Sequence, residues 1–214
     1  MKYMYEQTKY ALKQKINELF ADDCSGHDYW HSLRVLNTAE KIAKTEKCDE
    51  YIVMIAALLH DTDDIKIFRT KNYENARQIM TDCHLTMDII ERVIDVIREI
   101  SFKGTETIVP RSTEGKIVQD ADRLDAMGAI GIARAFAYGG NHNRMIHIPD
   151  CQPNTDMNET EYRNHKGTTI SHFYEKLFLL KDMMNTDCAK NIAKRRDEYM
   201  REFLKEFRDE WNAQ

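Results

Sequence analysis

The sequence predicts an all-helical fold, and three observations carry that prediction. The 214 residues include only 8 Gly and 3 Pro, too few chain breakers for a many-turned β architecture. Apolar residues recur every three to four positions through most of the chain. The one segment rich enough in β-branched residues to suggest a strand holds Ile89, Ile90, Val93, Ile94, Val96, Ile97 and Ile100. It pairs with a helical period and outruns an ordinary strand.

Each element follows from its own pattern. Tyr10, Leu12, Ile16, Leu19 and Phe20 set a first helix over about 3–20, ended by the polar Asp22, Asp23, Ser25 and Gly26. A second, about 28–45, buries Trp30, Leu33, Leu36, Ala39, Ile42 and Ala43. Asp49 signals the N-cap of a third, about 50–61. Its YIVMIAALLHD is apolar on nearly every face, which places it at the centre of the core. Helices over about 73–80 and 86–100 follow. Ser112 or Thr113 caps another that runs through Asp122 to about 138 and stops at Gly139–Gly140.

The polar stretch at about 139–166 contains His142, His147 and His165. Structureless segments that long are uncommon and often functional, so it is a candidate lid. Each of its histidines, taken singly, reads as an exposed loop residue. Helices over about 168–184 and 187–211 complete one domain spanning 1–214. The charges of the last (Lys194, Arg195, Arg196, Asp197, Glu198, Arg201, Glu202) read as a solvated face.

Composition excludes several classes. A net charge of −5 argues against a nucleic-acid polymer as principal partner. Cys24, Cys48, Cys83, Cys151 and Cys188 are scattered and odd in number, which fits reduced thiols and not a disulfide framework or a Cys zinc site. The N-terminus has no signal-type apolar core, and the longest apolar run, Ile52 to Leu59, cannot span a bilayer. A cytoplasmic protein without membrane contact is expected.

The chemistry concentrates at His60–Asp61, which ends the most apolar helix. A buried Asp beside a His is costly unless both are paired or hold a metal. Asp64 lies one turn on and over the same face. His31 sits in GHDYWHSLRV and Asp122 in QDADRLDA, each on another helix. Helix packing can bring the four together as a set of two nitrogens and two oxygens, suited to a first-row divalent ion with open positions. Asp120 and Asp125 flank Asp122, and by residue type either could complete the set instead.

The order H…HD…D resembles the HD-domain superfamily of metal-dependent phosphohydrolases. His31 matches its first His, His60–Asp61 its signature pair, and Asp122, in A-D-R-L, its distal Asp. VIREISFKGT, EGKIVQDADRLDAMGAIGIARAFAYGG and HFYEKLFLLKDMMNT are similar to a compact bacterial single-domain subfamily. The resemblance implies an HD-type helical bundle with its metal between central helices, held by His31, His60, Asp61 and Asp122. It implies Asp64 as the acid that assists the attacking water, with Asp61 beside it in the chemistry, and Asp125 as a support one turn beyond Asp122. Some relatives of this type cleave nucleoside triphosphates to monophosphate and pyrophosphate with manganese, so Mn2+ is the first expectation, ahead of Ni2+, Co2+, Fe2+, Zn2+ or Mg2+. Dinuclear branches add two His between the pair and the distal Asp. Here only His84 stands between them, which favours one ion and leaves His84 as a surface or supporting residue.

Phosphate chemistry also needs positive charge. Lys103, in S-F-K-G, is the first candidate, with Arg34, Lys66 and Arg69 behind it. Arg123 reads equally as a partner of the neighbouring acids. The expected substrate is a nucleoside triphosphate. The alternatives are a nucleoside monophosphatase, a non-catalytic nucleotide-sensing module, or a helical scaffold without metal. A homodimer through the terminal helices is conceivable but not demanded.

Overall fold

The computed structural model describes residues 2–21, 28–64, 68 and 70–214. Among them there are helices and turns and no strand. Lys66 and Arg69 lie outside the described residues, as do Cys24 and the polar break at 22–26. The chain forms two compact units, one of Met1–Ser101 with Ile108–Asp122, the other of Phe102–Thr107 with Arg123–Gln214.

The first unit is built around its most apolar helix. α1 (Lys2–Leu19), α2 (Tyr29–Ala43) and α3 (Glu50–Leu59) are followed by α4 (Glu74–Asp82) and α5 (Met87–Ile100), and α6 (Thr113–Asp125) contributes its residues through Asp122. Asp49 caps α3 by accepting from the backbone N–H groups of Tyr51 and Ile52. Every residue from Ile52 to Leu59 is buried, because α3 packs against α1, α2 and α5 on successive faces. At about 25 cal/mol per Å² of apolar area, such an all-round helix is a dominant source of the unit's stability. Trp30 corrects the expected stripe of α2. It is 64% exposed, while His31 and Ser32 turn inward.

The second unit carries α7 (Gly128–Asn141), α8 (Glu159–Asn164), α9 (Thr169–His172) and α10 (Asp187–Trp211). The helix expected from Ser112 to about 138 is broken. Ala126 and Met127 donate to the carbonyls of Arg123 and Leu124 in a tightened turn, and Gly128 takes φ +71° at the start of α7. Gly139 and Gly140 do not stop α7, which runs to Asn141. The last part of 139–166 holds α8, with a reciprocal Asn158–Glu161 capping box. The helix expected over 168–184 changes winding, from α9 through a π turn (Phe173–Leu177) to a 3₁₀ turn (Leu179–Met183). Phe136, Phe173 and Phe203 pack together where α7 and α10 meet.

The charges of α10 are not all solvated. Asp197 is buried and accepts from Arg201 at 2.9 Å, with Lys181 at 3.6 Å.

Candidate metal centre

His31 is the third residue of α2, and Asp28 fixes that helix start by accepting from the His31 backbone N–H at 2.7 Å. His60 closes α3, followed by a tight turn in which Thr62 donates to Leu59 O and Asp64 to Asp61 O. Asp122 arrives on α6, whose start is capped by the Ser112 hydroxyl accepting from Gly115 N.

These three helices bring four side chains of the first unit together. His31 Nε2 lies 3.0 Å from His60 Nε2. Asp61 Oδ2 stands 3.2 Å from the first nitrogen and 3.4 Å from the second. Asp122 Oδ1 stands 3.5 and 3.7 Å from them. His31, His60 and Asp122 form a group of donor atoms all within 4.8 Å of one another. An ion with bonds of about 2.1 Å sets neighbouring ligand atoms roughly 3 Å apart, so the separations among His31, His60 and Asp122 could hold one divalent ion, with Asp61 beside the imidazoles. The tautomer fits as well. His60 Nδ1 lies 3.0 Å from Ala57 O and donates to it, which turns the lone pair of Nε2 toward the cluster.

The electrostatics match a cation site. Burial by itself pushes the His60 imidazole down, but the charge of Asp61 and the hydrogen bond to Asp122 outweigh it, and its pKa is raised. Burial by itself would raise the Asp122 carboxyl, yet hydrogen bonds from His31 and His60 hold it well below the usual carboxylate range.

Comparison with known proteins bears on this geometry. The HD-domain family profile matches residues 29–127, a span that contains all four side chains. YpgQ of Bacillus subtilis (strain 168) is 35% identical over 199 residues, covering 91% of this chain and 89% of YpgQ. The chain belongs to the HD-domain family.

Solved structures are similar over nearly the whole chain. A protein of Lactobacillus plantarum superposes with a TM-score of 0.85 at 38% identity, covering 98% of this chain and 99% of its own. An HD-superfamily hydrolase of Bacillus thuringiensis gives 0.75 at 36%, covering 98% and 100%. YpgQ crystallised in complex with ADP gives 0.75 at 29% by structural superposition, covering 97% and 96%.

The other expected residues of this HD protein are placed as follows. Of the three acids near the end of α6, Asp122 stands against the imidazoles. Asp120 is fully buried, and Asp125 belongs to the second unit, paired with Arg134 at 2.9 Å. Asp64 is half-buried in the turn after Asp61, and Arg34 is half-buried one turn beyond His31. Lys103, in the second unit, is paired with Glu159 at 3.4 Å. Arg123 donates to the carbonyl of Met183. His84 is exposed at φ +58°, where it ends α4. His142 is exposed and stacks on Tyr138, His147 packs on Trp211 at 4.9 Å, and His165 lies 2.9 Å from Glu175.

One supporting residue escapes a sequence reading. Asp63 Oδ1 accepts from Asn75 N at 3.0 Å and Oδ2 from Ala76 N at 2.9 Å, so it caps α4 from a distance. Asn75 Nδ2 returns a bond to Thr62 O at 2.8 Å. The turn bearing Asp61 and Asp64 is thereby clamped to a helix start, where an N-cap side chain is otherwise missing because Tyr73 supplies none. Nothing in local spacing signals a cap borrowed from twelve residues upstream.

Proposed function

We propose that this chain is a metal-dependent phosphohydrolase that cleaves nucleoside triphosphates to monophosphate and pyrophosphate. The observation that carries the reading is the group of His31, His60 and Asp122 ligand atoms within 4.8 Å of one another, with Asp61 3.2 and 3.4 Å from the two imidazole nitrogens. The donor set of two imidazoles and two carboxylates suits a first-row divalent ion, manganese first. Such an ion supplies Lewis acidity at a phosphate oxygen and lowers the pKa of water. Asp64, one turn from Asp61, orients the water and accepts its proton. Arg34, on the face of α2 that carries His31, offsets charge on the phosphates. The nucleotide class is supported by the ADP bound in YpgQ.

The test is product analysis. Manganese-loaded wild type and Asp61→Ala are given nucleoside mono-, di- and triphosphates, with orthophosphate and pyrophosphate assayed separately. Pyrophosphate from triphosphates, lost in the variant, is the expected result. Orthophosphate released from monophosphates would replace the substrate assignment. Turnover undiminished in Asp61→Ala would remove the site assignment.

A further inference from the structure

We propose that the second unit holds a site for an amino-bearing nucleobase, in the cavity where Phe102, Tyr162 and Glu175 meet. The inference rests on the nucleotide reading above for its ligand class, and on the geometry of this cavity for everything else.

The cavity has a volume of about 220 Å³, and Phe102, Thr105, Thr155, Met157, Tyr162 and Glu175 are among its walls. Its floor is a close backbone approach, where Thr105 N donates to Met157 O at 2.9 Å. Gly104 allows that approach, because at φ +59° a Cβ there would lie 2.1 Å from Met157 O. Sites for drug-sized molecules run to roughly 300–1,000 Å³, so this one suits a single heterocycle and not a whole nucleotide.

Glu175 sets the ligand chemistry. It is 5% exposed, and its place in the π turn Phe173–Leu177 is the kind of local rewinding found at functional sites. It accepts from His165 at 2.9 Å and from Asn154 N at 3.4 Å, and both bonds fall on Oε1. A carboxylate accepts about four hydrogen bonds, so Oε2 keeps capacity for a ligand donor. A buried carboxylate reading an exocyclic amino group is an established pairing, as between Glu and the amino group of cytosine.

The aromatic walls choose a neutral ring over a cation. Phe102 and Tyr162 meet edge to face with centroids 5.0 Å apart. The ammonium of Lys176 already lies over both rings, at 4.9 and 5.9 Å. A second cation would be repelled by Lys176, whereas a planar base keeps the ring contact and donates its amino group to Glu175.

The test uses the full chain free of metal and nucleosides free of phosphate, so its failure leaves the hydrolysis assay untouched. Adenosine, cytidine and uridine are titrated into ¹⁵N-labelled protein. Adenosine and cytidine should shift the amides of Thr105, Met157 and Glu175 saturably, at least tenfold more tightly than uridine. Glu175→Gln should erase that preference. Because Glu175→Gln also disturbs His165, a second variant is needed: Thr155→Trp, at an exposed wall position, should block all three nucleosides while the protein stays folded. Uridine binding as tightly as adenosine, shifts that survive Thr155→Trp, or no saturable shift would each overturn the site.

Discussion

At the scale of single residues, the same Nε2 atoms that could hold a metal are the ones that carry the proton of an imidazolium. His60 has a raised pKa and Asp122 one well below normal. The His60 contribution to stability is fully present below the unfolded His value and is lost as pH rises through the raised folded value. The Asp122 contribution has the opposite sense. It is present above the unfolded Asp value and is lost as pH falls through the depressed folded one. A divalent ion needs the Nε2 lone pair, so its apparent affinity should fall about tenfold per unit as pH drops below the raised His60 value. Calorimetric titration with Mn2+ over a pH series measures this; an affinity flat across that range would refute proton competition. In metal-free Asp61→Asn the largest raising charge is gone, and the NMR titration midpoint of His60 should move down. An unmoved midpoint would show that Asp61 does not set it.

At the scale of elements, one device anchors the turn of the site in the first unit, and another sets the start of α7 in the second. Asp63 caps α4 from the turn that carries Asp61 and Asp64. Asp63→Ala strands two helix-start N–H groups and should cost about 1–2 kcal/mol. Metal affinity should weaken with it, since the turn loses its anchor, and Asp63→Asn should recover part of both. A loss of stability with metal affinity unchanged would make the clamp purely structural. Gly128 turns α6 into α7 at φ +71°, with the Arg196 side chain 3.0 Å from where a Cβ would stand. Gly128→Ala should therefore destabilise the second unit by about 1–2 kcal/mol. Denaturant melts read this directly, and a stabilised variant would mean that the turn tolerates an L side chain.

At the scale of the whole molecule, the proposed metal would be linked to the fold. All four donors lie in the first unit. At one hundred times its dissociation constant, an ion that binds only the folded state adds about 2.7 kcal/mol. A chain of this length gains roughly 2–4 °C in Tm per kcal/mol. Added Mn2+ should raise Tm by several degrees, reversibly with chelator, and His31→Ala should not respond. Hydrogen exchange should slow first in α2, α3 and α6; equal slowing throughout the chain would argue for binding elsewhere.

The sequence by itself determined the helical class, because periodicity and scarce breakers are local properties that survive any tertiary arrangement. It also marked His31, His60, Asp61 and Asp122, since their order along the chain and their apolar settings are readable without coordinates. Residue type leaves the choice among the acids of α6 open where the resemblance favours Asp122, and the tertiary structure has Asp122 facing the imidazoles. Asp120, Asp122 and Asp125 share one helix, and at about 100° per residue Asp120 points roughly 160° away from Asp122, while Asp125, one turn on, lies within about 60° of it. Packing fixes that rotation. Only the fold, too, shows Asp63 capping a distant helix, Asp197 buried among the charges of α10, and Glu175 beside a cavity on a π turn. Each depends on residues far apart in the chain meeting, and no local pattern records that meeting.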